Sequence, residues 1–161
     1  MTPFETIYTK HYAGTHRLAT KLLGQSGIVK DIVQEVFLSL YERRKDADVI
    51  EQPGAWLYRA TYYKCIDYLK QQSKFCQLEN LKPTCDYQLA HEQKETRAWL
   101  DQALNILNDK ERLLAILYSE DLSYKELALA TGIPLNSVGK TLSRTLKKLE
   151  KVLKEEYNEM F

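Results

Sequence analysis

Residues 135–154 hold six basic side chains, Lys140, Arg144, Lys147, Lys148, Lys151 and Lys154, against one acid, Glu150. On a helical wheel at about 100° per residue, Val138, Leu142, Leu146, Leu149 and Leu153 fall on one side, the side that packs on preceding helices. Lys140, Arg144, Lys147, Lys151 and Lys154 fall opposite, with Asn136 and Ser137. Amides and hydroxyls at the start of such a helix suit base edges, and cations farther along suit phosphates. By itself a solvated lysine-rich face has the same pattern. The preceding residues favour DNA: Ser123 with Glu126 caps a short helix, and Gly132-Ile133-Pro134-Leu135 supplies the glycine-bearing turn of a helix-turn-helix. Asn136, Ser137, Lys140, Thr141 and Arg144 then stand at the reading end, with Lys147 and Lys148 beyond them for phosphates.

A second constellation lies in a helix expected over residues 55–72. Tyr58, Tyr62, Cys65, Ile66 and Leu69 make its apolar face, while Trp56, Ala60, Tyr63, Asp67, Lys70 and Lys74 share the other, flanked by Arg59 and Lys64. Rings interleaved with cations are what an unstacked base needs, because rings stack on the base and cations hold the backbone. Packing of Trp56 and Tyr63 on a neighbouring helix accounts for the periodicity equally well. In the helix before it, Asp31, Gln34, Glu35 and Glu42 surround an outward Leu38. An apolar residue ringed by acids suits docking of a basic partner, although a single exposed leucine needs none.

Other chemistry is poorly supplied. Cys65, Cys76 and Cys85 have the spacing of neither a disulfide framework nor a metal half-site and read as ordinary thiols; His11 and His16 fall on different helical faces. With six glycines and no phosphate loop, nucleophile elbow or His-Glu-x-x-His pair, neither an enzyme nor a metal or cofactor is expected.

The elements that must carry these residues are helices, in an all-α chain of two small domains. Thr2 and Glu5 form a capping box for the first, which carries Phe4, Ile7, Tyr8, His11, Leu18 and Leu22 along one side until Gly24 and Gly27 stop it. The second, over residues 28–44, has a core stripe of Ile28, Val29, Ile32, Val33, Val36, Phe37 and Leu40. The third follows the turn Gln52-Pro53-Gly54. Periodicity fails between residues 72 and 91, then resumes with Trp99, Leu100, Ala103, Leu104 and Leu107, restarted at Asn108 with Glu111. The expected organisation is a helical domain over residues 1–74, a linker over 75–95 and a helix-turn-helix domain over 96–161.

The 161 residues, 44% apolar and 28% charged, suit a soluble globular chain. The net charge of +1 is a sum of local imbalances: 12 basic against 9 acidic side chains in residues 1–82, 2 against 4 in 83–103, and 9 against 9 thereafter. No stretch reaches the ~18–20 apolar residues of a membrane span, and the first residues lack a signal-peptide pattern, so a cytoplasmic protein is expected.

Taken together, these residues resemble the extracytoplasmic-function (ECF) class of bacterial RNA polymerase sigma factors across nearly the whole chain. Residues 31–38 (DIVQEVFL), 53–60 (PGAWLYRA) and 66–69 (IDYL) are similar to the family's second conserved region. Residues 104–107 (LNIL), 122–128 (LSYKELA), 132–134 (GIP) and 137–139 (SVG) are similar to its fourth. The resemblance implies that Asp31, Gln34, Glu35 and Leu38 dock on the clamp helices of the polymerase largest subunit. It implies that Trp56, Arg59, Tyr63, Lys64, Asp67, Lys70 and Lys74 engage the minus-ten element, with an unstacked base near Trp56, Arg59 and Tyr63. The recognition helix would read the minus-thirty-five element, its domain resting on the flap of the second-largest subunit, and a separate anti-sigma factor would exert control. The chain departs from the family pattern at Tyr63, where Asn is frequent, at Lys70, where Arg is common, and at Lys140-Thr141, where Ser-Arg is frequent. Lysine is a point charge where arginine is bidentate, so no promoter sequence follows. The competing expectations are a helix-turn-helix regulator that is no polymerase subunit, and an inhibitory protein that binds polymerase or another sigma factor.

Overall fold

The structure, a computed structural model, describes residues 2–45, 50–78, 102 and 105–160. The chain divides into two compact units, Met1–Tyr87 and Gln88–Phe161. The described regular elements are helices: α1 (Pro3–Leu23), α2 (Gly27–Lys45) and α3 (Pro53–Leu78) in the first unit, then α4 (Asp109–Tyr118), α5 (Tyr124–Thr131) and α6 (Leu135–Met160) in the second.

In the first unit, helix ends sit where local chemistry places them. The Glu5 amide donates to Thr2 Oγ1 at 3.2 Å and the Thr2 amide to Glu5 Oε2 at 2.8 Å, the reciprocal pair of a capping box, with Pro3 opening α1. At the other end Gly24 has φ 77°, and its amide donates to the Thr20 carbonyl at 2.7 Å. The three helices pack on one another around Ala19, Leu23, Val29, Val33, Val36, Leu40, Leu57 and Cys65. α1 and α3 approach closely because two glycines leave room: a methyl at Gly14 would collide with the Tyr58 hydroxyl, and one at Gly54 would lie 2.7 Å from His11 Cε1.

One boundary differs from expectation. α3 continues past residue 72 to Leu78, absorbing residues 75–78 of the expected linker. The apolar pattern lapses there, but no glycine or proline occurs before Pro83, so nothing breaks the hydrogen-bond ladder. The rest of that linker, with Cys76 beyond its backbone, Cys85, and the stripe of Trp99, Leu100, Ala103 and Leu104, lies outside the described residues.

In the second unit, Asn108 and Ser123 cap α4 and α5 by accepting from the amides of Glu111 and Glu126 at 2.9 and 3.2 Å. Gly132, at φ 77° and ψ 7°, ends α5 in the left-handed conformation that glycine adopts without steric cost, and after Ile133 and Pro134 the chain enters α6. Leu107, Leu113, Leu114, Leu117, Leu127, Ala130 and Ile133 form the core with Val138, Leu142 and Thr145 of α6. The expected apolar side of α6 is only partly used: Leu146 and Leu153 are 39% and 45% exposed. The cause is length, since at about 1.5 Å per residue the 26-residue α6 runs about 39 Å past supports of about 15 and 12 Å.

Gly14→Ala should destabilise the protein by about 1–3 kcal/mol through overpacking, with Tyr58→Phe in the same chain recovering part of the loss because the hydroxyl is the obstructing group. Thermal melts followed by circular dichroism measure both, and an unchanged melting temperature for Gly14→Ala would refute the close approach. Burial pushes the Cys65 thiol up to about 12. Its folded value lies above its unfolded one, so this group's contribution to stability is complete below the ordinary thiol range and declines as pH rises through it. At pH ~8, Cys65 should resist iodoacetamide until the chain is denatured, as read by mass spectrometry of the Cys65 peptide. Alkylation of the native protein at a free thiol's rate would contradict its burial.

Candidate nucleic-acid and docking surfaces

The core stripe of α2 determines what the helix shows to solvent. With Val29, Ile32, Val33, Val36, Phe37 and Leu40 buried, Asp31, Gln34, Glu35 and Leu38 all lie exposed on the far side, Leu38 at 56%. Tyr41 and Glu42 continue that face. The four residues predicted for docking are thus brought together. Glu35 also reaches sideways, its Oε2 accepting from Lys64 Nζ of α3 at 3.0 Å.

On α3 the predicted base-contacting residues separate into two settings. The Arg59 guanidinium lies 5.5 Å from the centre of the Tyr63 ring, which stands edge-on to the buried Tyr62, and Asp67 and Lys70 are exposed farther along. Trp56 turns instead toward α2. It is half-buried against the core, with the Arg43 guanidinium 5.3 Å from its ring centre. It lines a groove of about 440 Å³ with Val36, Ser39, Glu42, Arg43, Ala60 and Lys64. Arg59 and Tyr63 do not line that groove. Arg43 and Ser39 carry no signal in the sequence, and Glu42 stands out there only as part of the outward face of α2: on α2 the three border the core stripe, and no spacing rule within one helix connects them to Trp56. The Lys74 side chain lies outside the described residues.

In the second unit, α5, the Gly132 turn and α6 form the helix-turn-helix. Asn136, Lys140, Arg144 and Lys147 are exposed along one side of α6, with Ser137 and Thr141 half-buried beside them. The first turn is held by the Ser137 amide donating to the Pro134 carbonyl at 2.8 Å, and Ser137 Oγ lies 3.5 Å from Asn136 Oδ1. Lys148 departs from this group: its Nζ donates to both carboxylate oxygens of Glu111 on α4, at 3.2 and 3.1 Å. Farther along, Lys154 donates to Glu150 at 2.8 Å; that hydrogen bond holds the Glu150 carboxyl below its ordinary range and raises the Lys154 ammonium. Two exposed apolar residues missed from the sequence, Leu135 at the start of α6 and Tyr124 at the start of α5, flank the reading end. By sequence Leu135 falls in the glycine-bearing turn, whereas in the structure it opens α6.

Residues 7–75 match the Sigma-70 region 2 family and residues 97–149 the Sigma-70, region 4 family. The chain is 25% identical over 172 residues to the ECF RNA polymerase sigma factor SigE of Mycolicibacterium smegmatis, covering 99% of this chain and 65% of that protein. It is 30% identical over 132 residues to the ECF RNA polymerase sigma factor SigF of Caulobacter vibrioides, covering 80% and 73%. Against the RNA polymerase sigma factor SigV of Bacillus subtilis it is 29% identical over 147 residues, covering 88% and 86%. The fold is that of the sigma factor RpoE of Bartonella quintana, solved in complex with the anti-sigma factor NepR, at a TM-score of 0.63 and 17% identity over 96% of this chain and 98% of that one. It is likewise that of CnrH, solved in complex with the cytosolic domain of CnrY, at a TM-score of 0.63 and 21% identity over 94% and 88%. With both conserved regions in one chain and a relative of this class at 30% identity over most of its length, the chain belongs to the ECF class of RNA polymerase sigma factors, which direct transcription initiation.

Proposed function

We propose that this chain binds core RNA polymerase through the outward face of α2 and carries it to promoters through α3 and α6. Leu38, Asp31, Gln34 and Glu35 dock on the clamp helices of the largest subunit. The α3 surface with Trp56, Arg59, Tyr63, Lys64, Asp67, Lys70 and Lys74 engages the minus-ten element. Asn136, Ser137, Lys140, Thr141 and Arg144 read the minus-thirty-five element, with Lys147 on phosphates, while the second unit rests on the flap of the second-largest subunit. The chemistry of RNA synthesis stays in the polymerase, and the chain works in the cytoplasm without cofactor or metal. Among the described residues no helix is long and apolar enough to cross a membrane. The structural relative RpoE carries an anti-sigma factor, and control by a separate partner of that kind is part of this reading.

One observation carries the proposal. The chain presents an exposed leucine ringed by acids on α2 and an exposed row of cations and amides on a helix-turn-helix. A regulator acting on DNA alone needs only the second.

Retention on purified core polymerase tests the docking face. Leu38→Arg and Asp31→Arg should each reduce retention about tenfold or more while leaving the melting temperature nearly unchanged, because both positions are exposed. Retention unaffected by both changes would overturn the assignment of core docking to the outward face of α2. A second measurement addresses the recognition helix: Lys147→Ala should lower the slope of log affinity against log salt for promoter DNA by about one unit. An unchanged slope would remove Lys147 from the phosphate contacts.

A further inference from the structure

The recognition helix is supported along barely half its length. Val138, Leu142 and Thr145 are buried, but Leu146 and Leu153 are largely exposed and Leu149 only half-buried. Among the described residues, full burial along α6 therefore ends at Thr145, one residue after Arg144, and beyond it apolar contact is only partial. Lys148, three residues past Thr145, crosses to α4 at that point and meets Glu111.

Glu111 is prepared for this contact. Its side chain is 16% exposed, against 50% for Lys148. Its amide donates to Asn108 Oδ1 at 2.9 Å and its Oε1 accepts from Asn108 Nδ2 at 3.0 Å, so the carboxylate is fixed to the cap of α4 before Lys148 arrives. A carboxylate near a helix N-terminus is favoured by the helix dipole. Asn108 Nδ2 and Lys148 Nζ together give Glu111 three acceptor contacts. Moving Lys148 to a DNA phosphate would break two of them and leave a mostly buried charge without its cation, which is costly.

We propose that Glu111 and Lys148 are positioning residues for promoter reading: their ion pair fixes the angle of α6 against α4, and Lys148 serves as a strut rather than a phosphate contact. The cations that meet DNA are then Lys140, Arg144 and Lys147, all on the exposed side of the helix. The inference rests on the minus-thirty-five reading of α6 above.

The test uses the full chain assembled with core polymerase and a promoter duplex recovered by in-vitro transcription from a genomic fragment library, with affinity titrated against salt. Lys148→Ala should weaken binding about three- to tenfold at every salt concentration, the range expected within one ion-paired network, without changing the salt slope. Glu111→Gln should weaken binding similarly, although it removes a negative charge from the neighbourhood of DNA. The double variant should be no weaker than either single one, and Lys148→Arg should restore most of the affinity. Tighter binding by Glu111→Gln, or a slope about one unit shallower for Lys148→Ala, would place Lys148 on a phosphate and overturn the proposal. Thermal melts of each variant separate positioning from stability: if the affinity losses vanish once the unfolded fraction is corrected for, the pair is a stabilising contact only and the proposal fails. Lys140→Ala and Arg144→Ala on the same duplex test the underlying reading by themselves, since no loss from either would overturn it whatever the strut variants do.

Discussion

Val33 and Val36 are wholly buried between α1 and α3, and that burial governs the first unit. Side chains on one helix are related by fixed rotations, so burying this stripe leaves Asp31, Gln34, Glu35 and Leu38 one direction in which to point. The glycines of α1 and α3 serve the same end. By letting the Tyr58 hydroxyl and the His11 ring lie against backbone, they bring α1 and α3 near enough to enclose α2. The aromatic residues Phe4, Tyr8, Tyr12, Phe37 and Tyr41 close the α1–α2 seam, with ring centres 4.8 to 6.3 Å apart. On the proposed reading, function is carried by what this packing leaves outside.

The acids of the chain have a consistent use that its near-zero net charge conceals. Glu35 meets Lys64, Glu111 meets Lys148 and Glu150 meets Lys154, so three lysines of α3 and α6 are partnered within the protein. The Glu35–Lys64 and Glu150–Lys154 pairs are exposed at both ends and add little to stability beside the buried leucines and valines, so their effect is on direction. The Glu35–Lys64 pair differs from the Glu111 strut in being exposed at both ends, 64% and 40%. It joins a residue of the docking face to one of the α3 face and is open to exchange with outside partners. The Glu111 strut is anchored in a helix cap and is not.

What was legible in the sequence was what is local to one helix. The caps at Thr2, Asn108 and Ser123 depend on residues three apart, the stripe of α2 on residues three and four apart, and the αL turn on Gly132; each stands where spacing placed it. What was not legible depends on a second helix. The exposure of Leu146 and Leu153 follows from the shortness of α4 and α5, the capture of Lys148 from where Glu111 sits, and the turn of Trp56 toward α2 from Arg43 and Val36 across the groove. α3 outlasts its apolar period and runs to Leu78, because a helix ends at a breaker or a cap and not where one face ceases to be apolar.

The two surfaces proposed to meet DNA differ in a way that matches the two states of DNA a promoter must pass through. On α3 the rings of Trp56 and Tyr63 each lie beside an arginine, Arg43 and Arg59, so a flat aromatic face and a cation stand together before any ligand arrives. A base can use such a face only when it is out of its own stack, because in a duplex both faces of a base are covered. On α6 the exposed row is Asn136, Lys140, Arg144 and Lys147, with no ring among them. Amides and cations on a helix suit the edges and phosphates of paired DNA, which a major groove presents without melting. On the proposed reading, α6 therefore holds duplex while α3 favours the strand that opens, and the free energy of stacking on Trp56 or Tyr63 is gained only after melting. An aromatic surface that binds bases only when they are unpaired shifts the duplex toward the open form, in proportion to its differential affinity for the two states.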